Sequence, residues 1–246
     1  MAADRCPGAT LHPLAGTSLA YRIITRPNRK TVAIVIRANC DIDVLAPKQM
    51  PKQLIEQFVS SKTAWIEKKV HFNREIKSSH QPKTYQPGEQ FQLKGQSLTL
   101  MLKTGKRAVS VANQQLHLTL PASIAEAKKV TTAARMIEKW YRQQAEEHFI
   151  ARAKQLAALI GKQPAQVGIK GYKSRWGSCH IDGRIYFNWR LIMAPEWVID
   201  YVIVHELCHL THHNHSKNYW QLVESVMPDY RNAKTWLKLN GISLNL

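Results

Sequence analysis

The sequence predicts an α+β fold in two parts. An antiparallel β-rich region with one helix covers residues 1–130, and an α+β domain arranged around a buried helix covers residues 131–246. Three observations predict it. Short stretches of alternating apolar and polar residues, divided by turn residues, dominate the first part. A long helical pattern follows Pro121-Ala-Ser123 and stops near Ile160-Gly161. The segment Trp197–His209 is apolar nearly all round, as a helix enclosed by protein must be.

The elements can be justified in order. Leu19, Tyr21 and Ile23 alternate with polar neighbours, Arg26-Pro-Asn-Arg-Lys30 reads as a turn, and Val32–Arg37 and Asp41–Leu45 read as further strands, giving a small antiparallel sheet. Pro51 opens an amphipathic helix in which Leu54, Ile55, Phe58, Val59, Ala64, Trp65 and Ile66 recur at helical spacing to about Phe72. Residues 74–86 are polar and aperiodic, and read as a loop or linker. Phe91–Leu93, Leu98–Leu102, Ala108–Ala112 and Leu116–Leu120 are closely spaced strands, as in an antiparallel meander. Gly161 suits the stop of the long helix. Val167–Lys173 and Gly183–Trp189 are strands flanking Ser174–His180, Pro195 starts the apolar helix, and Pro228 divides a final helical pair. No internal repeat is evident in the sequence.

The chain has 246 residues, 44% of them hydrophobic, which is enough for a sizeable core. The start, Met1–Gly8, lacks the apolar segment of a secretion signal, and no stretch approaches the roughly 18 apolar residues of a membrane span. A cytoplasmic location without membrane association is expected. Cys6, Cys40, Cys179 and Cys208 lie far apart with no Cys-x-x-Cys pair, so reduced thiols are expected rather than a disulfide framework. The net charge of +18 is uneven: residues 1–130 hold 20 Lys+Arg against 8 Asp+Glu, net +12, and residues 131–246 hold 15 against 9, net +6. Such a field attracts nucleic acid and other anions, although charge alone locates no binding face.

The chemistry concentrates in His205-Glu206-Leu207-Cys208-His209. Histidines four residues apart on a helix share a face one turn apart, so both imidazoles can reach one ion, and zinc suits those ligands. Glu206 is displaced by about 100° around the helix, where it can reach a water rather than the ion and act as general base. A third donor is needed. The candidates are His212, His213, His215 and Glu224. On a continuing helix His212 would lie about 10.5 Å from His205 along the axis, and His213 would face away. A chain break at Asn214 would instead let His215 swing back, which ranks it ahead of Glu224. A packing helix with satisfied histidines would make no demand on Glu206, and a structural zinc site would be richer in cysteine.

Several segments together resemble a known family. They are Lys173-Ser-Arg-Trp-Gly-Ser-Cys179, Ile185-Tyr-Phe-Asn-Trp-Arg-Leu191, Ala194-Pro195, Ile199–His209, Asn214–Trp220 and Met227-Pro-Asp-Tyr230. This set resembles the YgjP-like metallopeptidases, relatives of the SprT-like zinc proteases, and the likeness extends from about Tyr21 to the C-terminus. The resemblance implies a zincin-like domain over 131–246 that hydrolyses protein or peptide substrates, with ligands His205, His209 and His215 and with Glu206 as base. It also implies an edge strand beside the active helix, placing Trp176, Gly177 and Ser178 near the substrate cleft. Tyr219, Tyr186 and Arg175 are candidate oxyanion donors, although packing or surface positions account for each. The competing expectation is a basic nucleic-acid-associated protein with a structural or vestigial zinc site. Against it, Tyr21, Phe58, Trp65 and Phe72 fall at apolar-face positions, which suit a core better than base stacking.

Overall fold

The computed structural model describes residues 10–37, 39–79 and 83–246, with 76–79 as backbone only. The segment Met1–Gly8, and with it Cys6, lies outside the described residues. The chain forms two compact units, Met1–Gln81 and Pro82–Leu246.

In the first unit, strands β1 (Leu11–Pro13), β2 (Ala20–Arg26), β3 (Ala33–Ile36) and β4 (Ile42–Pro47) form a sheet in the order β1-β2-β4-β3. The expected all-antiparallel arrangement is corrected here, because β2 and β4 run parallel while the two outer pairs are antiparallel. Asp43 supplies a physical reason. Its carboxylate, only 1% exposed on the central strand, accepts hydrogen bonds from Arg22 Nε at 2.9 Å and Arg37 Nε at 2.5 Å. Arg22 sits opposite it on β2 and Arg37 follows β3, so both donors reach Asp43 only with β4 between those strands. A buried carboxylate without them would be costly.

The single helix expected from Pro51 is two, α1 (Lys52–Ser60) and α2 (Thr63–Ser79). Side chains interrupt it: Ser61 Oγ donates to the Phe58 carbonyl and Thr63 Oγ1 to that of Ser60, local bonds that compete with helix continuation. The helix α2 then runs into the stretch expected as a loop from residue 74. Ile55, Val59, Ile66 and Val70 pack with Tyr21, Ile42 and Val44 as the core of this unit. Trp65, expected among core positions, is half exposed.

In the second unit, β5 (Gln90–Leu93), β6 (Gln96–Thr104), β7 (Ala108–Ala112) and β8 (Gln115–Leu120) repeat that topology in the order β5-β6-β8-β7, again with a parallel central pair. A helix follows each sheet. The repeat absent from the sequence is therefore present in topology, and the expected meander is corrected. The strands with clean apolar faces take the centre: Leu98 and Leu100 on β6, Leu116, Leu118 and Leu120 on β8, while β7 is largely exposed at the edge.

Helix α3 (Glu126–Ile160) buries Ala133, Ile137, Tyr141, Ala145, Phe149, Ala153 and Ala157 along one stripe. It ends on Gly161, whose φ of 74° suits a residue without Cβ. Strands β9 (Gln166–Lys170), β10 (Gly177–Cys179) and β11 (Arg184–Asn188) form a third sheet in the order β10-β11-β9, leaving β10 at an edge. Asn188 leads into a 3-10 turn, Trp189–Met193, and then α4 (Glu196–Cys208), α5 (Lys217–Val226) and α6 (Tyr230–Asn240). Leu100, Leu118, Phe149, Phe187 and Ile199 belong to one core, so β5–β8 sit with α3 and α4 and the compact units divide at Gln81/Pro82 rather than at residue 130. Among the described residues no helix is long and apolar enough to cross a membrane.

Candidate metal centre

The apolar sequence of α4 explains its position. Val198, Ile199, Tyr201, Val202, Ile203, Val204 and Leu207 are all buried, so the body of the helix is enclosed, and its C-terminal turn carries the half-buried His205 and His209. Arg152 on α3 pins α4 with two charge-assisted bonds, Nε and Nη2 to the Asp200 carboxylate at 2.7 and 2.6 Å.

The helix does not reach Asn214 as expected. It ends at Cys208, and the 3-10 bonds Leu210 N to Leu207 O and Thr211 N to Cys208 O tighten the chain behind it. Asn214 adopts no left-handed φ; its side-chain oxygen accepts from Ser216 N at 3.2 Å and shapes the turn into α5. His215 nonetheless comes back beside His205 and His209. One ring nitrogen from each of His205, His209 and His215 lies within 4.8 Å of the others, and the Nε2 atoms of His215 and His205 are 3.3 Å apart. His212 and His213 stay out of this group, and Glu224 is paired with Arg231 at 2.7 Å.

Second-layer bonds set the tautomers. The His212 carbonyl lies 2.9 Å from His209 Nδ1; a carbonyl can only accept, so Nδ1 carries the proton and Nε2 keeps a free lone pair. Tyr219, fully buried on α5, donates its hydroxyl to the His205 carbonyl at 3.0 Å and meets His205 Nδ1 at 2.6 Å. With the hydroxyl proton committed, Nδ1 donates to the tyrosine oxygen and Nε2 of His205 is free as well. Tyr219 therefore orients a histidine rather than waiting for an oxyanion, a role its sequence position did not reveal. Burial, then the neighbouring His209, His215 and Lys234, pushes His205 down to about 3, and burial lowers His209 too, so both imidazoles are neutral at pH 7.

Glu206 is 6% exposed on the same turn. Burial raises its carboxyl to about 7, against an opposing pull from Arg175. Its side chain lies on the backbone of β10, where a Cβ built on Gly177 would come within 2.5 Å of Glu206 Oε1. Any residue but glycine would displace the carboxylate. The three residues expected at the substrate cleft separate in role. Trp176 and Gly177 line a cavity of about 390 Å3 beside His205 and Glu206, whereas the Ser178 hydroxyl is bound to the Tyr172 hydroxyl at 2.6 Å. Asn188, buried and given no role by the sequence beyond its place in the 185–191 motif, donates Nδ2 to the carbonyls of Tyr172 and Arg175 at 2.9 and 3.2 Å and so holds the loop that leads into β10. Lys234 and Lys238 reach the cavity from α6, and only the tertiary structure brings them there.

The donor set fits a transition-metal ion of the kind that imidazole holds, zinc among them. Ligand nitrogens at about 2.0–2.1 Å from a tetrahedral zinc lie about 3.3–3.4 Å apart, which is the observed separation of His205 and His215. Three imidazole nitrogens with no fourth protein donor in the group among the described residues match the pattern of an open site.

A protein-family comparison matches residues 30–240 to the YgjP-like, metallopeptidase domain. Among solved structures the chain is similar to the metallopeptidase zymogen of Pyrococcus abyssi abylysin, with 23% sequence identity, a TM-score of 0.34, and coverage of 37% of this chain and 94% of that one. No curated protein matches the chain. With 30–240 matched out of 246 residues, the chain belongs to the YgjP-like metallopeptidase family.

Proposed function

We propose that this metallopeptidase is a zinc hydrolase of peptide bonds, with His205, His209 and His215 as ligands and Glu206 as general base. The observation that carries the reading is the convergence of three imidazole nitrogens, two with their tautomers set by Tyr219 and the His212 carbonyl, beside a buried carboxylate. A bound zinc ion would supply Lewis acidity, polarising the scissile carbonyl and acidifying a water towards neutral pH. Glu206 takes a proton from the attacking water as the water oxygen bonds to the carbonyl carbon. The carbon–nitrogen bond then breaks, and Glu206 returns the proton to the departing amine, leaving an amine and a carboxylic acid that releases its remaining proton to solvent at neutral pH. A carboxyl near 7 suits both transfers. The free edge of β10, next to Glu206, offers backbone groups with which an extended peptide could pair.

Two variants test the assignment. Glu206→Gln should retain stoichiometric zinc and lose about 10²–10⁴-fold in kcat, whereas His209→Ala should lose the metal. Elemental analysis with peptide cleavage reads both; undiminished turnover by Glu206→Gln would remove Glu206 as the base.

A second reading concerns the first unit. On α2 the half-exposed Trp65 is accompanied by Lys68 and Lys69, with Lys62 just before the helix, and the Lys69 ammonium lies 4.9 Å from the Phe72 ring centre. Cations interleaved with exposed rings suit nucleic acid. Binding to random duplex should fall steeply with salt, as phosphate contacts require, and should quench Trp65 fluorescence; salt-insensitive binding would reject this reading.

A further inference from the structure

The cavity beside the metal centre has walls of two characters. Trp176, Tyr201 and Leu237 provide apolar surface, and Arg175, Lys234 and Lys238 provide cations at its rim. Lys234 and Lys238 are four residues apart on α6, hence on one face of that helix, and Arg175 approaches from the loop before β10. Among the described residues none of the three is ion-paired with a carboxylate. Lys234 is nonetheless held, with its ammonium 4.6 Å from the centre of the Trp220 ring, and that ring stacks in turn on His215 and on Tyr230. The Arg175 guanidinium lies 5.7 Å from the Tyr172 ring centre. The one acid on the wall is Glu206, which the hydrolytic reading employs at the reacting bond. Three cations without a carboxylate ion pair among the described residues, set against the single acid Glu206 around an apolar floor, leave an excess of positive charge, and the complement is a short apolar stem ending in a negative group. At about 390 Å3 the cavity falls in the range of sites for small ligands or single side chains.

We propose that this cavity is a carboxylate-binding subsite, so that the enzyme selects peptides with an acidic group beside the scissile bond. The proposal rests on the hydrolase reading above. Two sources present this chemistry, the side chain of an internal glutamate or aspartate and the α-carboxylate of a peptide C-terminus. Arg175, Lys234 and Lys238 act on binding and alignment and take no part in proton transfer.

The test uses zinc-loaded full-length protein and four matched peptides: Glu or Gln beside the cleaved bond, each with a free or an amidated C-terminus. An internal-acid subsite predicts kcat/KM about tenfold higher for Glu than for Gln, whatever the terminus. A terminal subsite predicts that amidation costs the same factor. In Lys234→Gln/Lys238→Gln either ratio should fall towards one, and Lys238→Glu should reverse it. Calorimetric titration of the same peptides into zinc-loaded Glu206→Gln separates this proposal from the hydrolase reading. Preferential binding of the acidic peptides without cleavage by the wild-type protein would reject the hydrolase and retain the subsite. Cleavage of all four peptides at one rate, equal binding of all four, or ratios unchanged in both lysine variants would overturn the subsite. Circular dichroism of the variants identifies any loss due to misfolding, and the exposed Lys238 then provides the deciding substitution.

Discussion

Tyr219 and Gly177 act on the centre without belonging to it. Tyr219 is buried, so its hydroxyl has no water to turn to, and it spends both hydrogen-bonding roles on His205. Tyr219→Phe keeps the ring and its packing but releases the imidazole, and should weaken zinc affinity about 10–100-fold with little change in unfolding midpoint; competition with a chromophoric chelator measures it. Gly177→Ala places a methyl within 2.5 Å of Glu206 Oε1, so the carboxylate must move. Zinc content should stay stoichiometric while kcat falls by about tenfold or more, and an alanine variant with native kcat would show that Glu206 works from another position. The pattern His-Glu-x-x-His made His205, Glu206 and His209 readable from sequence, because an (i, i+4) pair on a helix needs no tertiary information. Trp176 and Gly177 were readable only through family likeness. Tyr219 was visible as a residue but not as a partner, since its role depends on how α5 docks.

At the scale of elements, α4 is rigid because of what surrounds it. Phe149 on α3 is fully buried and meets Phe187 of β11 edge-on at 5.5 Å, and the alanines of the α3 stripe allow that long helix to lie close. Phe149→Ala should cost about 3–5 kcal/mol, read from denaturant unfolding of the zinc-loaded protein. The long helix, its glycine stop and the apolar helix were legible because periodicity and capping are local. The parallel central pairs were not, since strand order depends on which distant residues satisfy each other. Asp43 needs Arg22 and Arg37 on its two sides, and no spacing rule contains that requirement.

Across the whole molecule, the buried centre couples protonation to stability. In the metal-free protein the unfolded chain binds protons at His205 below about 6.5 while the folded chain resists down to about 3, so this group's contribution is complete above 6.5 and declines as pH falls. Glu206 has the opposite sign. Its folded carboxyl near 7 prefers to be neutral, so stability is lost as pH rises from the unfolded value of 4.5 to about 7. The His205 and Glu206 effects offset each other between 4.5 and 6.5, and below 4.5 the Glu206 effect is gone while His205 loses up to about 1.4 kcal/mol per pH unit, with His209 acting in the same direction. Metal-free Glu206→Gln should therefore be more stable than metal-free wild type at pH 8, by at most about 3 kcal/mol, with the gap closing near pH 4.5. Urea unfolding at pH 4.5 and 8 measures it, and equal stability at pH 8 would mean that Glu206 is not held in a strained, desolvated state.

The sequence by itself determined the α+β class, the helix that carries two histidines and a glutamate, and the family, because each is written in local periodicity or in a contiguous motif. The tertiary structure alone decided the rest. It brought His215 back through the turn after α4, placed Glu206 against a glycine of β10, and gathered Arg175, Lys234 and Lys238 from distant parts of the chain at one cavity. Such convergence depends on how helices and strand edges dock, and docking is a sum over contacts between residues that no local pattern relates.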